Sequence, residues 1–220
     1  MEPNLSALAD DLEKLIGDNE ETQTVTNWLD TGDPELNFAI SGRYDGGIPY
    51  GRIVEMYGPP SSGKTAEATD LMIRAQEAGG IAMFFDWERS FDINLAKNLG
   101  LKTERPFWIY KKPETWEEGN VLAMRAVELI RNSATIPDDA PIICVFDSVA
   151  SAIPQSVYYD NKGKKREIDT FNMSDNTALA RASSTSLKVI AQTAEKYNAT
   201  FLYLNQQRTK IGVMLDRKST

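Results

Sequence analysis

Short apolar runs recur along the chain from residue 52, and all but the last are followed by a longer stretch with helical spacing. The runs are rich in β-branched and aromatic residues, as buried strands are; they are RIVEMYG (52–58), IAMFFDW (81–87), FWIYK (107–111), PIICVFD (141–147) and TFLYLN (200–205). The predicted helices cover about residues 64–78, 93–100, 115–133 and 175–197. Strands that alternate with helices predict an α/β fold with a mainly parallel sheet flanked by helices. Ligand-binding residues are then expected at the carboxyl ends of the strands.

A separate amphipathic helix is predicted near the amino terminus, within NLSALADDLEKLIG (4–17). Its apolar residues fall on one stripe: Leu5, Leu8, Leu12, Leu15 and Ile16. The polar segment DNEETQT follows and predicts a flexible connection. The pattern alone leaves open whether the helix folds back on its own domain or docks on a neighbouring copy. We therefore divide the chain into an N-terminal helix with an acidic linker, residues 1–35, and a core, residues 36–220.

The negative charge of the chain is concentrated in its N-terminal part. The net charge of the 220 residues is −8, but residues 1–35 hold ten acidic residues and one base, Lys14. The remainder holds 22 acidic and 23 basic residues. The overall charge therefore does not exclude a nucleic-acid partner.

The composition narrows the chemistry and the compartment. The sequence has no histidine, which excludes imidazole catalysts and imidazole metal ligands, and its one cysteine, Cys144, can form no internal disulfide. No apolar stretch approaches 18 residues, and the acidic start lacks the features of a signal peptide. We expect a cytoplasmic location, which would be the host cytoplasm if a phage encodes the chain.

The strongest motif is GPPSSGKT (58–65), which matches G-x-x-x-x-G-K-[ST] between a predicted strand and a predicted helix. The glycines permit a tight backbone path whose N–H groups surround phosphates, and the helix directs the positive end of its dipole at them. Lys64 is expected to reach the outer phosphates, and the Thr65 hydroxyl to bind Mg²⁺. The motif predicts ATP and Mg²⁺ as ligands, with these binding residues: Gly58, Pro59, Pro60, Ser61, Ser62, Gly63, Lys64 and Thr65.

Two acidic residues near predicted strand ends complete a candidate site. Asp147 ends the apolar run IICVFD and is expected to hold magnesium through a water. Glu88 follows the strand that ends at Asp86 and is a candidate general base for the attacking water, a role worth roughly 10²–10⁴-fold in rate. Taken one at a time, Asp147 is equally a helix cap, and Glu88 equally an ordinary surface acid.

Four segments together resemble the bacterial RecA recombinase family, which includes UvsX-type members of phages. They stand in the order of that family: GRIVEMYGPPSSGKT (51–65), FFDWERSFD (84–92), VFDSVASAIP (145–154) and NQQRTKIGVM (205–214). The resemblance implies a RecA-like P-loop NTPase core. It also implies a DNA-dependent ATPase that forms ATP-dependent filaments on single-stranded DNA and exchanges strands with duplex DNA in recombination and repair.

The resemblance also implies roles for individual residues. Glu88 maps to the catalytic glutamate, and Gln206 to the residue that contacts the γ-phosphate and reports its presence to the second DNA-binding loop. Lys64 acts with them, and Arg208 and Lys210 lie in that loop. In the family, the helix that matches residues 4–17 packs on the adjacent subunit, which favours assembly into a filament or ring over folding back.

The region of the first DNA loop, 156–176, is longer here than in the family. It carries a basic cluster beside Tyr158 and Tyr159, and the cluster consists of Lys162, Lys164, Lys165 and Arg166. Cations that pair with phosphates and aromatics that stack on bases are the two ingredients of single-strand binding. A solvated hairpin tip is the alternative interpretation.

Two further departures concern the base of the nucleotide and the end of the chain. Leu95 stands where the family has an aromatic ring against adenine, while Asp92 retains a hydrogen bond to the base by resemblance. The chain ends at Thr220, inside the expected second DNA loop, so we expect a fragment of a longer protein or a shortened relative. These departures keep open a RecA-like ATP-binding assembly or regulatory protein without strand exchange. A hexameric helicase motor fits the phosphate loop but not NQQRTKIGVM.

Overall fold

The centre of the fold is a five-stranded sheet in which every neighbouring pair of strands is parallel. The computed structural model describes residues 5–16, 24–167 and 177–207. Strands β1 (Trp28–Leu29) and β2 (Ile48–Pro49) form a small antiparallel pair, and the sheet consists of β3 (Ile53–Gly58), β4 (Ile81–Asp86), β5 (Trp108–Lys111), β6 (Ile142–Asp147) and β7 (Ala199–Gln206). Their order is β3–β7–β6–β4–β5. The predicted α/β fold with a mainly parallel sheet is confirmed.

Helices connect and cover the strands. They are α1 (Leu5–Ile16), α2 (Pro34–Ser41), α3 (Lys64–Glu77), α4 (Ile93–Leu99), α5 (Trp116–Asn132), α6 (Gln155–Tyr158) and α7 (Ala178–Lys196). Helices α1, α3, α4, α5 and α7 lie where the apolar spacing predicts them, whereas the spacing does not predict α2 and α6. In the described part of the chain, no helix combines the length and the apolar character that crossing a membrane requires.

The sheet has a buried face on each side, which explains why its strands read as continuous apolar runs. In β6, Ile143 and Val145 pack on the α3 side with Leu71. The intervening residues Cys144 and Phe146 pack on the α5 and α7 side. Burial raises the pKa of the Cys144 thiol, as expected of a structural cysteine.

The segment between residues 24 and 50 packs on the α3 side of the sheet. Leu29 and Ile48, which face each other across the β1–β2 pair, are both buried in that core. The buried Asn37 side chain accepts from the backbone N–H and the hydroxyl of Thr31 and donates to Asp30 Oδ1. The core therefore includes Leu29, which comes before residue 36 in the chain. The division of the chain between residues 35 and 36 stays a prediction.

Helix α1 leaves apolar side chains exposed to solvent. Leu8, Leu12 and Leu15 are 54%, 45% and 80% exposed. Full burial of a large apolar side chain is favourable by roughly 1.5–3 kcal/mol, so covering these three leucines would stabilise the structure.

Candidate nucleotide-binding site

The parallel register brings the carboxyl ends of four strands to one edge of the sheet. Asp86 at the end of β4 pairs with Asp147 at the end of β6, and Gly58 at the end of β3 pairs with Gln206 at the end of β7. Side chains and loops at this edge surround a cavity of about 450 Å³. Its lining includes Pro60, Ser61, Ser62, Gly63, Lys64, Thr65, Ala66, Glu88, Asp147 and Gln206.

The loop from Gly58 to Gly63 leads directly into α3. Gly63 is the N-cap of α3 and has φ of 88°, in the left-handed region that favours glycine. No capping side chain accepts from the first N–H groups of this helix. The positive end of the helix dipole therefore faces the loop. The Lys64 Nζ arches back over the loop and donates to the carbonyl oxygens of Gly58 at 3.2 Å and Pro59 at 2.7 Å. The arrangement is suited to an anion of phosphate size.

Thr65 and Asp147 meet inside the cavity, although 82 residues separate them in sequence. The Thr65 hydroxyl donates to Asp147 Oδ2 at 2.7 Å. The pKa of Asp147 is raised to about 6, chiefly by burial; the charges of Glu88 and Asp86 also raise the pKa, while the bond from Thr65 and the charge of Lys64 lower it. A buried carboxylate held above its ordinary pKa gains from a cation, and paired oxygen ligands are those that Mg²⁺ prefers.

These residues fit a cation that is bound partly by the protein and partly by phosphates and water. The described residues contain no group of three or more acidic, cysteine or histidine side chains that could enclose a metal ion. Thr65 supplies one oxygen ligand and Asp147 an acceptor for a metal-bound water, which suits Mg²⁺ that is also bound by phosphates and water. The residues present therefore fit a magnesium–nucleotide complex.

Glu88 and Gln206 are in direct contact. The Gln206 Nε2 donates to Glu88 Oε1 at 2.7 Å. The same carboxylate oxygen accepts from the hydroxyls of Ser148 and, at 3.4 Å, Ser151. The predicted general base and the predicted phosphate-sensing amide thus share one hydrogen bond at the mouth of the sheet. The sequence reasoning missed Ser148, whose only signal is its position directly after Asp147.

A scaffold around Asp86 holds the loop that carries Glu88. The fully buried Asp86 carboxylate accepts from the backbone N–H groups of Arg89 at 2.5 Å and Phe91 at 3.2 Å, and from the Tyr110 hydroxyl at 2.7 Å. Burial and this bond raise the pKa of Tyr110. On the other side, the Glu88 N–H donates to the Asp147 carbonyl oxygen at 3.2 Å. Asp86 therefore acts on the site through the shape of this loop.

Asp92 and Leu95 do not line the cavity described above. Asp92 is the N-cap of α4 and accepts from the N–H groups of Asn94 at 2.9 Å and Leu95 at 3.0 Å. The Leu95 side chain is 56% exposed. A contact between Asp92 and the base of a nucleotide stays a prediction.

The basic segment forms a short hairpin after α6. Tyr159 pairs with Lys165 in an antiparallel bridge, and Asp160 accepts from the N–H groups of Lys162 and Lys164, both at 2.8 Å. These three lysines are exposed, and Arg166 is half-buried.

Aromatic side chains anchor this hairpin to the protein. The Tyr159 hydroxyl donates to Glu114 at 3.0 Å, and the Lys165 ammonium donates to the Tyr158 hydroxyl and lies 4.5 Å from the centroid of that ring. DNA contact by the hairpin stays a prediction. Arg208 and Lys210 lie outside the described residues.

Comparisons with known proteins assign the family. The sequence model of the RecA N-terminal domain matches residues 11–220. Protein RecA of Bacteroides thetaiotaomicron is 38% identical over 207 residues, which cover 93% of this chain and 54% of the relative. Protein RecA of Geobacter sulfurreducens is 35% identical over 193 residues, with 87% and 50% covered, and that of Chloroherpeton thalassium is 34% identical over 205 residues, with 93% and 50% covered. The chain spans about half the length of these curated relatives. With this match over nearly its whole length, the chain belongs to the RecA family.

Proposed function

We propose that this chain is the nucleotide-binding core of a DNA-dependent ATPase that exchanges DNA strands in homologous recombination and repair. The observation that carries the proposal is the cavity shared by Lys64, Thr65, Glu88, Asp147 and Gln206. Membership of the RecA family supports the same activity.

The cavity offers distinct chemistry for each part of a bound triphosphate. The N-terminus of α3 and Lys64 bind phosphate oxygens. To do so, the Lys64 ammonium gives up its hydrogen bonds to the carbonyl oxygens of Gly58 and Pro59 and donates to phosphate. Thr65 would hold Mg²⁺ directly and Asp147 would hold it through a water, and the ion would neutralise phosphate charge. Glu88 orients the attacking water and accepts its proton.

Gln206 links the nucleotide to the segment that follows β7. A side-chain amide carries two N–H groups, so Gln206 can keep one on Glu88 while the other donates to a phosphate oxygen. The residues after Gln206 lead into the predicted second DNA loop, which contains Arg208 and Lys210. Loss of the phosphate contact after hydrolysis then releases that loop, an order–disorder switch of the kind other nucleotide-driven proteins use.

Assembly and DNA binding complete the proposal. The exposed leucines of α1 dock on a neighbouring copy in a filament or ring. The lysines of the hairpin at 158–166 contact single-stranded DNA, and duplex DNA is the second substrate during exchange. We place the protein in the cytoplasm, where its DNA is found.

The proposal is tested by measuring phosphate release from ATP with and without single-stranded DNA. We expect DNA to raise the rate, and Glu88→Gln to lower hydrolysis by roughly 10²–10⁴-fold while leaving nucleotide affinity close to that of the parent. Glu104→Gln, at an exposed position outside the cavity, is the matched control and should hydrolyse ATP like the parent. The proposal is contradicted if single-stranded DNA does not change the rate, or if Glu88→Gln hydrolyses ATP at the rate of the parent.

A second candidate is an ATP-binding assembly or regulatory protein without strand exchange. The anchoring of Tyr159 and Lys165 within the protein and the capping role of Asp92 favour it. It predicts nucleotide-dependent oligomers that persist in Glu88→Gln and have no affinity for DNA.

A further inference from the structure

Ser148 is a buried hydroxyl aimed at the candidate general base. It follows Asp147 directly at the end of β6 and has no exposed surface. Its Oγ donates to Glu88 Oε1, the same oxygen that accepts from Gln206. A buried hydroxyl is costly to leave without a partner, so this contact is strongly favoured in the folded protein.

Of the three side chains that donate to Glu88 within the described residues, the Ser151 hydroxyl is the most distant at 3.4 Å, and Ser148 and Gln206 differ in how firmly they are held. Ser148 continues from a central strand, and the carbonyl of the residue before it accepts from the N–H groups of Trp87 at 2.7 Å and Glu88 at 3.2 Å. Ser148 and Glu88 are therefore fixed to each other through both backbone and side chain. Gln206 is the last residue of β7, and the proposed function requires it to respond to phosphate.

We infer that Ser148 is the positioning residue of Glu88, and this inference rests on the proposed function. When the Gln206 amide donates to a phosphate oxygen as well as to Glu88, its position depends on the nucleotide, whereas the Ser148 hydroxyl holds Oε1 in place with or without it. The other oxygen, Oε2, is then presented to the attacking water. As the water oxygen bonds to the γ-phosphorus and the bond to the departing diphosphate breaks, the water proton passes to Oε2. Ser148 keeps its own proton throughout.

Ser148→Ala is the variant that tests this role in the full chain. We expect kcat to fall about 10- to 100-fold, because misplacing a reacting group by about 1 Å costs up to that factor. The KM for ATP and the affinity for a non-hydrolysable ATP analogue should stay close to those of the parent. Ser148→Thr retains the hydroxyl and should recover most of the rate. Ser183→Ala is the matched control, since that hydroxyl donates only within α7 to Leu179.

A double-mutant cycle separates positioning from general damage. In the Glu88→Gln background, the further change Ser148→Ala should lower the residual rate by less than about twofold, because its effect passes through the missing carboxylate. An equal loss in both backgrounds overturns the inference, as does a Ser148→Ala variant that retains the parent kcat. Thermal unfolding checks that each variant is folded. If the parent chain does not hydrolyse ATP, the proposed function fails and the inference fails with it. If the parent hydrolyses ATP and the cycle is additive, only the inference fails.

Discussion

Asp147 gives the prediction that can be developed furthest from the structure. The residue is 5% exposed, accepts from Thr65 at 2.7 Å, and lies near the carboxylates of Glu88 and Asp86. Its pKa is raised from 3.8 to about 6, chiefly by burial. Replacing it by asparagine keeps the shape and an oxygen acceptor for Thr65 while removing the charge.

The sign and size of the effect follow from linkage. Because the folded chain binds the proton more tightly than the unfolded chain, protonation of Asp147 stabilises the fold at low pH, and this contribution is lost as pH rises through about 6. The whole rise in pKa corresponds to about 3 kcal/mol. Between about pH 8 and about pH 5, the parent should gain about 1.4 kcal/mol from this residue.

The measurement is urea unfolding of the chain without nucleotide or metal, followed at several pH values. Asp147→Asn should be more stable than the parent near pH 8 by up to about 3 kcal/mol, and this advantage should shrink by about 1.4 kcal/mol near pH 5. Adding ATP and Mg²⁺ should reverse the order, because the variant lacks the carboxylate that holds the metal. Asp10→Asn, on the exposed helix α1, controls for loss of a surface charge. A variant less stable than the parent at every pH, with a constant difference, would refute the reasoning.

Three further predictions concern the sensor, the assembly and the core. Gln206→Ala should preserve ATP binding but remove the effect of ATP on DNA affinity, measured by fluorescence anisotropy with labelled single-stranded DNA; equal loss of both affinities would show that Gln206 is no sensor. Leu8→Asp combined with Leu12→Asp should yield monomers by light scattering, and unchanged assemblies would return α1 to the fold-back alternative. Phe146→Ala should lower the free energy of unfolding by about 3–5 kcal/mol in urea titrations, because the ring is fully buried; a loss under about 1 kcal/mol would contradict that packing.

The fold was predictable because its strands are buried on both faces. Residues 81–85 and 141–146 are apolar throughout, and the structure ends β4 and β6 at the polar residues that follow them, Asp86 and Asp147. Residues 24–50 were not assigned because two-residue strands leave no period in the sequence. The buried Asn37, which is polar yet central to that segment, gives the pattern no apolar residue to follow.

The sequence predicted those parts of the candidate site in which a residue's place in a motif or at a strand end determines where it lies. Thr65 and Asp147 meet because the phosphate loop after β3 and the end of β6 lie at the same edge of the sheet. Ser148 and Asp86 escaped sequence reasoning because their roles depend on which loop group each side chain faces, and spacing does not encode that. The structure shows a second use of Asp92 that spacing did not indicate, because its Oδ1 caps α4; its contact with the base of a nucleotide stays a prediction.

The central claim is that a nucleoside triphosphate binds in the cavity at the end of the sheet. Its most direct test is a calorimetric titration of the chain with a non-hydrolysable ATP analogue in the presence of Mg²⁺. The account predicts one analogue bound per chain, loss of binding in Lys64→Ala, and parent-like binding in Lys97→Ala, an exposed lysine of α4 outside the cavity. Binding that Lys64→Ala leaves unchanged would contradict the claim that a nucleoside triphosphate occupies the cavity at the end of this sheet.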